Sequence, residues 1–203
     1  MNRVSFFIDG FNLYHALDSN PAYHKYKWLD FDKLVRCYLT KKDELTDIFY
    51  FTAYITWDPP KLNRHKLFVQ ASRTRNVKII FGKFKRRDKF CTLCKKTYST
   101  FEEKQTDVNI AISLFKNAME NKFDRAIIVS GDSDLIPSIE AIKSTFPAKQ
   151  IGVVIPIGRK SESLKNVCDF HMKMKEKHLI SSLFPDEIDL GSGVKLIRPI
   201  SWK

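Results

Sequence analysis

The sequence predicts an α/β fold: a three-layer α/β/α sandwich around a central, mostly parallel sheet. Three observations carry that prediction. Short apolar runs rich in Val, Ile and Phe alternate with longer stretches of helical period, the pattern of parallel strands joined by crossover helices. Two of these runs, Arg125–Ser130 and Gln150–Ile155, are almost wholly apolar, as strands covered on both faces require. Finally, 203 residues with 43% hydrophobic and 13% aromatic content suffice for one sizeable core and exclude general disorder.

Val4–Ile8 reads as a strand that enters a loop at Asp9-Gly10. Phe31–Leu39 reads as a helix behind an Asp30 N-cap, with Phe31, Leu34, Val35 and Tyr38 on one face. Asp47–Ile55 is strand-like, and Asp58-Pro59-Pro60 opens a helix running to about Arg75, followed by a strand over Val77–Phe81. Gly82–Ser99 breaks the alternation as a basic hairpin or protruding loop. Thr100-Phe101-Glu102-Glu103 fits a capping box, which predicts a helix from there to about Asn121 with Val108, Ala111, Ile112, Phe115 and Met119 on its apolar face. Arg125–Ser130 is the next strand, Gly131-Asp132-Ser133-Asp134 leads into a helix through Lys143, Gln150–Ile155 is a strand and Ser161–Asn166 a short helix. Residues 1–172 are expected to form the domain, with the hairpin as an insertion at about 82–99. Residues 173–203 form a C-terminal extension that docks on the core or joins a partner chain, which leaves a homo-oligomer open.

Four Cys are too few for a disulfide scaffold. The apolar run at Val4–Ile8 stops at Asp9, unlike a signal peptide, and the longest apolar run, Ile151–Ile157, is strand-sized. No membrane partner is expected, and a reducing, cytoplasmic setting is the default. Lys plus Arg exceed Asp plus Glu by 35 − 23 = 12, so the chain attracts polyanions, of which nucleic acid is the commonest. There is no P-loop, no Gly-rich dinucleotide turn after a strand and no nucleophile elbow. The D-x-D spacing of an aspartyl-phosphate enzyme is absent at Asp9 but present at Asp132-Ser133-Asp134.

Open parallel sheets bind ligands at the carboxyl ends of their strands, where strand order reverses. Two such ends carry acids: Asp9 after the first strand, and Asp132 with Asp134 after Arg125–Ser130. Asp107 lies on the helix before that strand, in line with Ala111, Leu114 and Ala118, at the edge of a buried face. The capping box places it in the second turn, where the helix dipole does little for it. Taken singly, Asp132 or Asp134 reads equally as a helix cap and Asp9-Gly10 as a turn. Together they cannot stay bare: two carboxylates about 4 Å apart repel by roughly 4 kcal/mol at an effective dielectric near 20. A proton or a cation must relieve that repulsion, and an all-oxygen donor set suits Mg²⁺ or Mn²⁺. In a basic chain, such a site points to metal-assisted hydrolysis of a phosphodiester.

Three ordered motifs, Phe7-Ile8-Asp9-Gly10-Phe11-Asn12-Leu13-Tyr14, Glu103-Lys104-Gln105-Thr106-Asp107-Val108 and Val129-Ser130-Gly131-Asp132-Ser133-Asp134-Leu135, resemble the NYN domain family of the PIN-like nuclease superfamily. The resemblance spans roughly Met1 to Met172. It implies a divalent-metal-dependent nuclease, most often acting on RNA, with Asp9, Asp107, Asp132 and Asp134 as the acidic metal site. By the same resemblance Asn12 orients Asp9 or substrate, Lys104 contacts phosphate, Ser130 is the small polar residue before the Gly-Asp turn, and Asp169 matches a late Asp of relatives. The resemblance also implies an alternative: a module of the same fold that binds RNA or DNA without cleaving it.

Cys91 and Cys94 have the spacing of a ligand pair. A structural Zn²⁺ needs four ligands, and Cys168 with His171 would complete a Cys₃His set. Without them the pair is an inert or redox-sensitive dithiol. Lys83, Lys85, Arg86, Arg87 and Lys89, then Lys95 and Lys96, surround these cysteines with Phe84, Phe90 and Tyr98 interleaved. Cations alternating with aromatics suit phosphate contacts and base stacking along a single strand, and equally a solvated hairpin. Arg159, Lys160, Lys165, Lys173, Lys175 and Lys177 form a second, less distinctive basic region.

Overall fold

The computed structural model describes residues 1–191 and 193–203. The apolar runs become strands β1 (Asn2–Asp9), β2 (Asp43–Thr52), β3 (Lys78–Phe81), β6 (Arg125–Val129), β7 (Gln150–Ile155) and β8 (Phe170–Lys173). They form one all-parallel sheet in the order β3-β2-β1-β6-β7-β8. The chain builds outward from β1 through α1 (Gly10–Asp18), α2 (Phe31–Arg36) and α3 (Pro59–Arg73). It then returns beside β1 through α4 (Thr106–Met119) and builds the other way through α5 (Ile136–Thr145) and α6 (Glu162–Val167). Strand order therefore reverses between β1 and β6.

Adjacent residues of β1 point to opposite faces, so Val4, Phe6 and Ile8 join one core and Phe7 the other. The first core packs Leu13 and Leu17 of α1, Leu34 and Val35 of α2, and Phe68 of α3. The second packs Ile110, Leu114 and Ala118 of α4, Ile139 and Ile142 of α5, and Leu164 of α6. Because both faces are covered, these strands read as continuous apolar runs rather than alternating ones.

Asp30 caps α2 by accepting the N–H groups of Asp32 and Lys33, and Asp58 caps α3 by accepting that of Lys61, as their positions predict. Several expectations give way. No loop follows Asp9, because its carboxylate caps α1 directly. The basic segment is a two-stranded antiparallel ribbon, β4 (Lys83–Phe90) with β5 (Thr97–Lys104), and it runs through the expected capping box. Pairing with β4 and the stacking of Phe101 on Trp57 hold Thr100–Lys104 extended, so α4 starts at Thr106 and Asp107 sits in its first turn. Of the apolar face expected on α4, Val108, Ile112, Phe115 and Met119 are exposed; the helix docks by the line Ile110, Leu114, Ala118 instead.

The sixth strand β8, the short helix α7 (Glu176–Ile180) and the ribbon β9 (Glu187–Asp189) with β10 (Lys195–Ile197) had no clear sequence signal. The C-terminal extension docks on the first core. Leu196 and Trp202 are buried there, Trp202 lies 6.2 Å from Trp28, and Trp28 Nε1 donates to the Pro185 carbonyl at 2.9 Å. Among the described residues, no helix is long and apolar enough to cross a membrane.

Candidate functional site

The reversal of strand order leaves a crevice at the carboxyl ends of β1 and β6, and the acids converge there. Asp9 ends β1. Gly10 follows because a Cβ at that position would lie 2.5 Å from the Phe51 carbonyl oxygen and 2.6 Å from the Tyr50 ring. α1 thus starts flush against the end of β2. Asp9 Oδ1 accepts the Asn12 N–H at 3.0 Å, and Oδ2 accepts the Ser130 hydroxyl at 2.8 Å. Ser130 Oγ in turn accepts the Asp132 N–H at 3.0 Å, and Asn12 Oδ1 accepts the Gly131 N–H at 2.9 Å. The two strand-end turns are laced together by side chains.

The third contributor arrives from the ribbon. Gln105 adopts a left-handed conformation (φ 80°), and the Glu103 carboxylate accepts both the N–H and the hydroxyl of Thr106, closing the N-terminus of α4. This sets Asp107 so that one carboxylate oxygen each from Asp107, Asp132 and Asp134 lies within 4.8 Å of the others. At that separation two carboxylates repel by about 3.5 kcal/mol at an effective dielectric near 20. Burial and the nearby charges of Asp132, Glu103 and Asp134 push the Asp107 carboxyl up from the usual range. Asp9 stands next to this trio rather than within it. It is only 4% exposed, and burial pushes its carboxyl up to about 6 against the hydrogen bonds from Asn12 and Ser130, with Asp107 and Asp132 adding to the rise. Three mutually repelling oxygen donors and a fourth carboxylate that resists ionisation fit a hard divalent cation.

Other predicted residues fall elsewhere. Ser130 is fully buried and bridges Asp9 to Asp132, too deep to touch a substrate as expected for a binding residue. Lys104 pairs with Glu102 at 3.2 Å. Asp169 is structural: it accepts the Ile151 N–H at 2.7 Å and pairs with Lys143 at 2.7 Å. Lys85 and Arg87 share one face of the ribbon with Lys83 and Lys89, where Glu102 reaches Arg87, Lys89 and Lys104. Arg86 points to the opposite face, its guanidinium bonded to Ser99 and near Asp88. The expected Cys₃His zinc set does not form. Cys91 and Cys94 lie at the ribbon tip, leaving the sheet beyond β3, whereas Cys168 and His171 belong to β8 and its lead-in at the opposite edge.

Sequence reasoning missed the aromatic root of the ribbon. Phe11 of α1 meets Phe84 at 5.3 Å, Phe84 meets Trp57 at 4.8 Å, and Trp57 stacks on Phe101 at 3.7 Å. Only the register of β4 against β5 brings these rings together. Arg159 belongs, by sequence, to a basic region without distinctive spacing. Its side chain approaches the Gly131 turn, and its place just after β7 at the carboxyl edge of the sheet was the available signal.

The profile of the NYN domain matches residues 3–175. The chain belongs to the NYN domain family. A 6-hydroxy-3-succinoylpyridine 3-monooxygenase of Pseudomonas putida is similar at 25% identity over 215 residues, covering 88% of this NYN chain and 67% of that protein. The fold is similar to the crystal structure of a protein of unknown function from Vibrio parahaemolyticus, with a TM-score of 0.62 and 19% identity over 90% of this chain and 96% of that one. NYN domains are PIN-like nucleases in general, and the acidic trio of this one fits a divalent-metal site.

Proposed function

We propose that this NYN protein is a divalent-metal-dependent nuclease that cleaves single-stranded RNA internally. The observation that carries this reading is the convergence of Asp107, Asp132 and Asp134 within 4.8 Å at the switch point of the sheet. These three residues would hold Mg²⁺ or Mn²⁺. When bound, such an ion supplies water activation and neutralises the charge on a phosphodiester.

The chain's own residues do the rest. Asp9 braces the Asp132 turn through Ser130, and Asn12 holds the Gly131 N–H, so the acids keep one geometry before substrate arrives. Asp134 is exposed and Asp132 half-buried, so an internal phosphate reaches them without an end being threaded in. Lys83, Lys85, Arg87 and Lys89 repeat along one strand face every ~6.8 Å, a spacing suited to successive phosphates of an extended strand. Exposed Tyr98, opposite Lys89 in the register, offers a ring for base stacking on the same face. The preference for RNA follows from the family alone.

End-labelled single-stranded RNA and DNA, incubated with Mn²⁺ or Mg²⁺ beside an Asp132→Asn/Asp134→Asn variant, test the reading. Internal cuts in RNA that EDTA and the substitutions both abolish are expected. RNA bound equally by both proteins, with no cleavage, would leave a binding module.

One observation favours a second reading. A cavity of about 80 Å³ lies between α1 and α3, walled by Phe11, Tyr14, Phe31, Tyr50 and Phe68, with Arg64 on its lining. It has room for one aromatic ring beside a cation, and the Pseudomonas relative is named for oxygenating a pyridine. A thermal shift with 6-hydroxy-3-succinoylpyridine and none with RNA would favour this reading.

A further inference from the structure

The tip of the β4–β5 ribbon carries chemistry that the acidic crevice does not use. Between the strands the chain turns through Cys91-Thr92-Leu93-Cys94-Lys95-Lys96. The Cys91 N–H donates to the Lys96 carbonyl and the Lys95 N–H to the Cys91 carbonyl, both at 2.9 Å, while the Cys94 N–H points at Cys91 Sγ at 3.5 Å. Lys95 adopts a left-handed φ of 55°, a conformation that a residue with a Cβ resists; it turns the chain back directly after the second cysteine. Backbone N–H groups aimed at the Cys91 sulfur favour its thiolate and hold this thiol below the usual range.

Two thiols three residues apart, in a turn with N–H groups on sulfur, are half of a tetrahedral zinc set. The other half is not in this chain. Cys168 and His171 lie at the β8 edge of the six-stranded sheet, to which the ribbon does not belong. Cys37 sits behind α2 against Ser181 and Ser182. Among the described residues, the acidic trio is the one group of three or more that can hold a metal. The tip also presents apolar surface: Leu93 is 94% exposed, with Phe90 and Tyr98 exposed beside it.

We propose that this tip is half of a zinc site completed by Cys91 and Cys94 of a second copy, so that one Cys₄-bound Zn²⁺ joins two chains tip to tip. Four S–H bonds release their protons as four Zn–S bonds form, and no electron moves. Four thiolates around one Zn²⁺ leave a double negative charge, which faces Lys95 and Lys96 of each tip; Lys89 is already paired with Glu102. Without the metal the same lysines repel, so association depends on zinc. A two-fold axis through the ion makes the contact self-complementary and closed, and it brings Leu93 of each chain against the other tip. The site is separate from the acidic crevice and stands whether or not the protein cleaves RNA.

The full chain, reduced with a phosphine and given Zn²⁺, tests this by light scattering coupled to size exclusion, with metal analysis of the eluted peak; every protein in the series also carries Asp132→Asn/Asp134→Asn, so that the acidic trio holds none of the zinc counted. One zinc per two chains and twice the single-chain mass are expected. Cobalt(II) in place of zinc should give the intense visible bands of a tetrahedral thiolate site. The Cys91→Ser/Cys94→Ser variant should elute as a zinc-free monomer, and Cys168→Ser should keep both metal and dimer. One zinc per monomer, a dimer without zinc, zinc retained by the double variant, or reduced protein that takes up none would each overturn the proposal.

Discussion

Asp9→Asn separates what the buried carboxylate does for the site from what it costs the fold. The unfolded chain holds this carboxyl near 3.8, and in the folded protein burial pushes it up to about 6. That gap is worth about 3 kcal/mol at 1.36 kcal/mol per tenfold change in proton affinity. A carboxyl raised on folding favours the folded state while it is protonated. Its contribution is therefore complete below about pH 4 and lost as pH rises through about 6. In EDTA the wild-type protein should lose about 3 kcal/mol from this group between pH 4 and pH 8. Asparagine carries no such loss. It can still accept the Asn12 N–H, but its Nδ2 must donate to Ser130 where the carboxylate accepted, exchanging a charge-assisted bond for a neutral one at about 1 kcal/mol. The variant should thus be about 1 kcal/mol less stable near pH 4 and about 2 kcal/mol more stable near pH 8, with the two curves crossing between. Urea unfolding in EDTA across that range measures both lines. Parallel curves would refute the claim that Asp9 is ionised against a burial penalty.

Three further outcomes follow from named contacts. Lys85→Ala and Arg87→Ala should each lower the slope of log binding constant against log salt for single-stranded RNA by about 0.7, whereas Arg86→Ala, bonded to Ser99 on the opposite face, should leave it unchanged. Fluorescence anisotropy over a salt series decides this. Gly10→Ala drives a Cβ to 2.5 Å from the Phe51 carbonyl oxygen and should cost about 3 kcal/mol or more in chemical denaturation; wild-type stability would mean that α1 can shift freely. Trp202→Ala removes a buried ring from beside Trp28 and Phe68 and should cost about 3 kcal/mol, read as a lowered denaturation midpoint, whereas an unchanged midpoint would show that the tail is undocked in solution.

The features legible in the sequence are those held by local chemistry. Strands β1, β2, β6 and β7 are legible because apolar runs buried on both faces admit few polar residues. The caps at Asp30 and Asp58 are legible because a carboxylate beside free N–H groups is decided within three residues. Asp9, Asp132 and Asp134 could be singled out because acids at the ends of apolar runs are conspicuous. The tertiary structure alone decided which neighbours those residues meet. The capping pattern at Thr100–Glu103 lost to cross-strand pairing with β4, which bonds one side of that backbone and adds the Trp57–Phe101 stack. The exposure of Val108, Ile112 and Met119 on α4 is set by which side of that helix the sheet covers, and both sides of α4 are apolar. Likewise, Ser130 bridges two acids instead of meeting a substrate, Arg86 turns away from Lys85 and Arg87, and Cys91 and Cys94 end at the ribbon tip while Cys168 and His171 end at the β8 edge of the main sheet. Each outcome depends on register or on the reversal of strand order, set in the ribbon by partners from Phe90 with Thr97 to Lys83 with Lys104, and between β1 and β6 by residues more than a hundred positions apart.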